Sequence, residues 1–106
     1  MFARNVSLHL RPNSVGEFAR MIEKEIIPLL RKQNGFQDEM SFITAGGREA
    51  FGISLWDRKE SAEAYNRATY PEVTRILATV VEGTPQVETF EVSNSTFHKI
   101  AAAVTV

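Results

Sequence analysis

The chain has 106 residues, enough for one domain with a single core and too few for two ordinary ones. Its 12 Lys and Arg are interspersed with 13 Asp and Glu for a net charge of -1, so no basic face is available to a polyanion and nucleic acid is not an expected partner. Cysteine is absent, which removes disulfides, thiolate chemistry and cysteine-held metals. No apolar run reaches the roughly 20 residues of a membrane span, and the amino terminus lacks a signal-peptide pattern, so a soluble, cytoplasmic protein without a membrane partner is expected.

The opening stretch "RNVSLHL" alternates Val6, Leu8 and Leu10 with Asn5, Ser7 and His9, the period of a strand with one apolar and one polar face. Arg4 shares the phase of Val6 and Leu8, and the pattern can place it only at a strand end. After "RPNS", Ser14 and Glu17 have the spacing of a capping box. A long helix follows, with Val15, Phe18, Ala19, Ile22, Ile26, Leu29 and Leu30 on one side. Pro28 is expected to kink it or to separate a last turn, and Gly35 to end it in the left-handed conformation.

The segment "FQDEMSFITAGGREAFGISLWD" reads as two strands meeting at Gly46 and Gly47. Counting outward puts Phe42 opposite Phe51, Met40 opposite Ile53 and Asp38 near Leu55 on an apolar face. Ser41 opposite Gly52, Glu39 opposite Ser54 and Gln37 opposite Trp56 form the other face. Asp57 and Glu60 have the spacing to cap a helix over "KESAEAYNRA", and a second helical piece starts near "TYPEV", with Val73, Ile76, Leu77 and Val80 facing one way. Gly83 to Pro85 are read as its end, and "QVETFEVSNSTFH" as a long last strand.

The order strand, helix, strand, strand, helix, strand predicts an α+β, ferredoxin-like βαββαβ sandwich: an antiparallel sheet with helices on one face and the first and third strands central. The domain is expected over residues 1–98, with 99–106 as a carboxyl-terminal tail. Phe42, Phe51, Ile53, Leu55, Val6, Leu8, Phe90 and Val92 are expected under the helices, with Met21 and Met40 in the core. Asn5, Ser7, His9, Ser54 and Trp56 are expected together on the far face, lining a small-molecule pocket. The plainer alternative is a solvated sheet face; an open polar face centred on a Trp is unusual, and closure by a second copy is the expected remedy.

The element order, together with "FARNVSLHL", "IIPLLRKQNGFQDE", "ISLWDRKESAEAYN" and "YPEV", resembles the antibiotic biosynthesis monooxygenase (ABM) group of the dimeric α/β-barrel superfamily, over most of residues 2–94. The resemblance implies a homodimer whose two sheets face each other, with a pocket between sheet and helices or on the concave side. It implies a cofactor-independent monooxygenase-like enzyme acting on a small planar aromatic or quinone-type compound, whose deprotonated form gives electrons to dioxygen. In that reading Asn5, His9 and Trp56 are the catalytic candidates: Asn5 as donor to an oxyanion, His9 as proton acceptor, Trp56 as a ring stacked on substrate. Ser7, Ser54 and Tyr65 are the substrate-binding candidates.

The plainer reading of His9 is a strand residue satisfied by a neighbour, that of Tyr65 a core or rim aromatic, and that of His98 a surface or dimer-contact residue. The haem-degrading relatives carry an iron-ligating His about three turns beyond the helix aromatic; counting from Tyr65 reaches Arg75, so haem is not expected. Two His without clustered spacing suggest no metal site, and no cofactor is expected. The alternative class is a non-catalytic dimeric barrel that binds a small metabolite or serves in a stress response.

Overall fold

Strand β1 (Phe2–Leu10) leads into a helical segment built from α1 (Val15–Met21), a π-helical turn (Ile22–Ile26) and α2 (Ile27–Arg31). Strands β2 (Phe36–Ile43) and β3 (Glu49–Trp56) form a hairpin, helices α3 (Lys59–Ala68) and α4 (Tyr70–Leu77) follow, and β4 (Val81–Glu91) completes the sheet. This computed structural model describes residues 1–97; His98 and the tail 99–106 lie outside the described residues. The strands are antiparallel in the order β2-β3-β1-β4, so β1 and β3 are central as expected, and the ferredoxin-like α+β arrangement is present. Among the described residues the sheet does not close into a barrel.

Pro28 does not break the helix. Its nitrogen has no proton to donate, and the turn before it widens, Ile27 donating to the Ile22 carbonyl five residues back. Gly35 is left-handed (φ 82°) as expected, and a Cβ there would lie 2.2 Å from Asp57 Oδ1 and 2.4 Å from Ser61 Oγ, so only glycine fits this junction. Neither expected cap forms: Ser14 makes no capping hydrogen bond and Glu17 pairs with Arg20 instead, while Arg58, not Asp57, is the residue before α3. Asp57 instead accepts from the Ser61 hydroxyl, which holds its carboxyl below the usual range.

The hairpin register is the expected one, with Phe42 opposite Phe51, Met40 opposite Ile53, Ser41 opposite Gly52 and Glu39 opposite Ser54. Its inner end differs: Gln37 is bulged and Phe36 stands opposite Trp56. β4 begins before the expected break. Gly83, Thr84 and Pro85 lie within it opposite Leu8, where the register shifts, and Gly83 takes φ 73°. An edge strand tolerates the missing proline donor.

The larger correction concerns which face of the hairpin meets the helices. Across β1, Val6 pairs with Gly52, Arg4 with Ser54 and Phe2 with Trp56, while Asn5 pairs with Ile53 and Ser7 with Phe51. Residues directly opposite share a face, so the polar set Glu39, Ser41 and Ser54, with Trp56, joins Val6 and Leu8 under the helices. Phe42, Phe51, Ile53, Leu55 and Phe90 point the other way, and Met40 (45% exposed) and Phe90 (50%) are not core residues. The core beneath the helices is Leu8, Leu10, Phe18, Met21, Ile26, Leu30, Trp56, Tyr65, Val73 and Leu77.

Candidate functional site

A cavity of about 440 Å³ opens between the sheet and the helices, within the range of small-molecule sites. Phe18, Ile22, Ile26, Val73 and Leu77 form its apolar walls, two of them on the π-helical turn that Pro28 imposes. The polar part of the lining comes from three strands and two helices: Arg4 of β1, Glu39 and Ser41 of β2, Ser54 of β3, Tyr65 of α3 and Tyr70 of α4. Arg11, Thr74 and the β4 bulge at Gly83 to Pro85 also border it.

Arg4 is only 3% exposed. Its Nη2 donates to Asn66 Oδ1 at 2.7 Å, and its Cζ lies 4.0 Å from the Tyr70 ring centroid and 5.2 Å from that of Tyr65. Among the described residues no carboxylate forms an ion pair with it. Two aromatic faces stabilise a guanidinium by about 2 kcal/mol each when water is excluded, and an amide oxygen adds one hydrogen bond, but a buried cation without a counter-ion remains costly. The cavity wall thus carries a desolvated positive charge that an anion would satisfy.

Burial pushes the Tyr65 hydroxyl up to about 12, against the opposing effect of the Arg4 charge. Burial also raises Tyr70, again opposed by Arg4. Trp56, with no exposed surface, lies behind this layer: its Nε1 donates to Ser54 Oγ at 2.9 Å, its ring centroid is 5.0 Å from that of Tyr65, and Phe36 meets it edge-on at 5.6 Å. Glu39 accepts from Ser41 Oγ at 2.8 Å; burial raises its carboxyl pKa and that hydrogen bond lowers it in part. Gly52 makes room for this carboxylate, since a Cβ there would lie 2.9 Å from Glu39 Oε2.

The structure therefore divides the residues singled out in the sequence. Ser54 and Tyr65 line the cavity, and Trp56 supports them from behind. Asn5, Ser7 and His9 do not join them, because they alternate with Arg4, Val6 and Leu8 and so occupy the far face; the single pocket expected from all five strand residues does not form. Asn5 Oδ1 is buried there without a hydrogen-bond partner among the described residues, and His9 is exposed with Nδ1 3.9 Å from a Glu49 carboxylate oxygen. Arg4 and Tyr70 are lining groups that sequence reasoning missed, while Glu39 and Ser41 had been placed on one face with Ser54 and Trp56 but not named in the pocket. The signal for Arg4 was its phase with Val6 and Leu8, a charge in step with the core. Arg75 is exposed and pairs with Glu72. Among the described residues no three His, Cys, Asp or Glu side chains cluster to hold a metal ion, and no helix is long and apolar enough to cross a membrane.

No family model matches the sequence, and no curated protein does. Solved structures do. A protein of unknown function from Nitrosomonas europaea superposes with a TM-score of 0.74 at 16% identity, over 90% of this chain and 91% of its own. A putative antibiotic biosynthesis monooxygenase from Bordetella bronchiseptica gives 0.73 at 13% identity, over 86% and 95%. A monooxygenase from the gene ActVA-Orf6 of Streptomyces coelicolor, solved in complex with the ligand nanaomycin D, gives 0.74 at 14% identity, over 86% of each chain. The chain carries the fold of the antibiotic biosynthesis monooxygenase structures.

Proposed function

We propose that this protein is a cofactor-independent, monooxygenase-like oxidoreductase that binds a small planar aromatic or quinone-type compound as its anion, in the cavity between sheet and helices. The observation that carries this reading is Arg4: a guanidinium on the cavity wall, almost wholly out of water, flanked by two tyrosine rings and without a carboxylate partner among the described residues. A phenolate or enolate oxygen satisfies that charge, and the apolar walls suit a flat ring system. The fold-neighbour solved with nanaomycin D supports a compound of this class.

In such a reaction the ring hydroxyl loses its proton, and the electron-rich anion reduces dioxygen taken from solution. One oxygen atom enters the ring as a carbonyl and the other leaves as water, so phenol plus dioxygen gives quinone plus water. The protein's part is to favour the anion through a preorganised cation and to keep water from the ring. Ser54 and Tyr65 are substrate contacts in this account, Trp56 fixes both, and the oxyanion role considered for Asn5 passes to Arg4. The test is dioxygen consumption over a panel of phenols and hydroquinones with no added cofactor. Consumption by the native protein that falls by roughly 10²-fold or more in Arg4→Met supports the proposal. Binding of those compounds without consumption favours the non-catalytic, metabolite-binding class.

We also infer that a second copy of the chain covers the far face of the sheet. Met40, Phe42 and Phe90 leave it apolar and exposed. Sedimentation equilibrium at micromolar concentration is expected to give a dimer mass, and a monomer would overturn this.

A further inference from the structure

The anion reading leaves open where the proton of the substrate goes, and the sheet offers one acceptor. Glu39 pairs with Ser54, and Ser54 pairs with Arg4, so the three stand in one row across β2, β3 and β1 on the helix-facing side. Adjacent strands lie about 4.8 Å apart, which sets the Glu39 and Arg4 backbones roughly 10 Å apart with the small Ser54 side chain between them. That spacing fits the absence of an ion pair between them and leaves space over Ser54 that both side chains border. All three line the cavity. We propose that Glu39 is the proton acceptor of this site, taking the ring hydroxyl proton of a phenolic substrate while Arg4 holds the resulting oxyanion.

The step is a simple transfer. The substrate O–H bond breaks and leaves its electron pair on the phenolate oxygen beside Arg4, and an O–H bond forms on the Glu39 carboxylate. Because the pair begins as carboxylate plus neutral phenol and ends as carboxylic acid plus phenolate, the net charge of the cavity does not change, which suits a partly enclosed site with apolar walls. Two further observations support the assignment. The only hydrogen-bond partner of the Glu39 side chain among the described residues is Ser41 Oγ, so proton capacity remains on the carboxylate. Gly52, in the adjacent row, leaves the space that the carboxylate occupies. Burial raises the affinity of Glu39 for a proton, as an acceptor of a phenolic proton requires. The titratable or charged groups that share the cavity with it are Arg4 from β1, Arg11 after β1, Tyr65 from α3 and Tyr70 from α4; the walls from α1, the π-helical turn and α2 are apolar.

This proposal rests on the anion reading, and the experiment separates the two. The probe is 2-naphthol, a flat bicyclic phenol whose ionised form absorbs at longer wavelength than the neutral phenol. It is titrated near neutral pH, below its own ionisation range and above the acid range in which Glu39 is already protonated, into the native protein, Glu39→Gln and Ser41→Ala, with the spectrum recorded and proton release measured by calorimetry in two buffers of different ionisation enthalpy. The native protein is expected to develop the naphtholate band with no net proton released, the proton resting on Glu39. Glu39→Gln, which keeps the side-chain shape, is expected to release about one proton per naphtholate bound. Ser41→Ala removes a hydrogen bond that favours the ionised carboxylate, so the proton is expected to stay on Glu39 to higher pH than in the native protein. This second variant decides the matter if Glu39→Gln fails to fold. Equal proton release from the native protein and Glu39→Gln, or an unchanged pH profile in Ser41→Ala, overturns the assignment of Glu39 and leaves the anion pocket standing. No naphtholate band in the native protein overturns the anion pocket and the assignment with it.

Discussion

The two faces of the sheet differ in an instructive way. The face under the helices contains Arg4, Glu39, Ser41 and Ser54 beside Val6 and Leu8, whereas the far face of the same hairpin carries Met40, Phe42, Phe51, Ile53 and Leu55. In a sheet covered on one side only, the more apolar face belongs under the helices. The reverse arrangement here means that the helix side is partly hollow and equipped for a polar guest, and that the far side awaits cover of its own. The lateral halves of the helix side differ as well, Trp56, Tyr65 and Phe36 being tightly packed while the neighbouring space stays open as the cavity.

The sharpest way to break this contrast is on the packed side. Trp56→Ala is expected to cost about 3 to 5 kcal/mol, through the void it leaves and the lost donor to Ser54, a large share of the roughly 5 to 15 kcal/mol that holds a domain of this size. Denaturant melts monitored by circular dichroism check this, and a loss below 1 kcal/mol would remove Trp56 from the support of the site. On the far face, Phe42→Asp with Phe90→Asp is expected to leave the monomer folded and to weaken self-association by about 2 kcal/mol or more, roughly thirtyfold, in sedimentation equilibrium. An unchanged dimer would show that the far face is not what the second copy covers.

The pH dependence sharpens the contrast from the cavity side. The chain's two tyrosines both line the cavity, so tyrosinate absorbance reports this site alone. Tyr65 is raised above its unfolded value of about 10, so its contribution to stability is fully present below pH 10 and is lost as pH rises toward about 12. Tyrosinate absorbance is therefore expected to rise late and together with unfolding, whereas a simple reversible rise near pH 10 in the folded protein would place both hydroxyls in water. Glu39 is also raised, so the folded state binds its proton more tightly than the unfolded chain does. Stability from this group is present at low pH and is lost as pH rises through its folded pKa. Glu39→Gln, a mimic of the protonated form, is expected to melt slightly above the native protein at neutral pH and level with it in acid. The opposite order would mean that the carboxylate is a structural anion.

Much of the fold was legible. Alternation in β1, the hairpin register counted from Gly46 and Gly47, and the three- to four-residue spacing of Phe18, Ile22 and Ile26 are local patterns, and local patterns fix element type and strand pairing. What the patterns did not fix is how the hairpin docks on β1. Pairing Asn5 with Ile53 rather than with Ser54 inverts the whole hairpin, and the expectation that the most apolar stripe lies under the helices chose the wrong alternative. The candidate site inherited that error: Ser54 and Tyr65 line the cavity, while Asn5, Ser7 and His9 were grouped with a face they do not share. Arg4 stood out as a charge in phase with the core, a departure from the pattern that marks a buried polar position rather than a strand end. Gly83 and Pro85 read as a break because turn residues and bulge residues are the same types.

Arg4 is the residue on which the account turns, and binding of 2-naphthol to the native protein and to Arg4→Met tests it most directly. The methionine keeps much of the volume and removes the charge, so the fold is expected to be retained. Trp56, the sole tryptophan and 5.0 Å from Tyr65, reports occupancy of the cavity by its fluorescence, while the naphtholate band reports the charge state of the bound probe. The account predicts that the native protein binds the probe as the naphtholate, below the pH at which it ionises in water, and that Arg4→Met loses the naphtholate band and binds at least tenfold more weakly, a difference of about 1.4 kcal/mol or more. Equal affinity and an equal naphtholate band in the two proteins would contradict it.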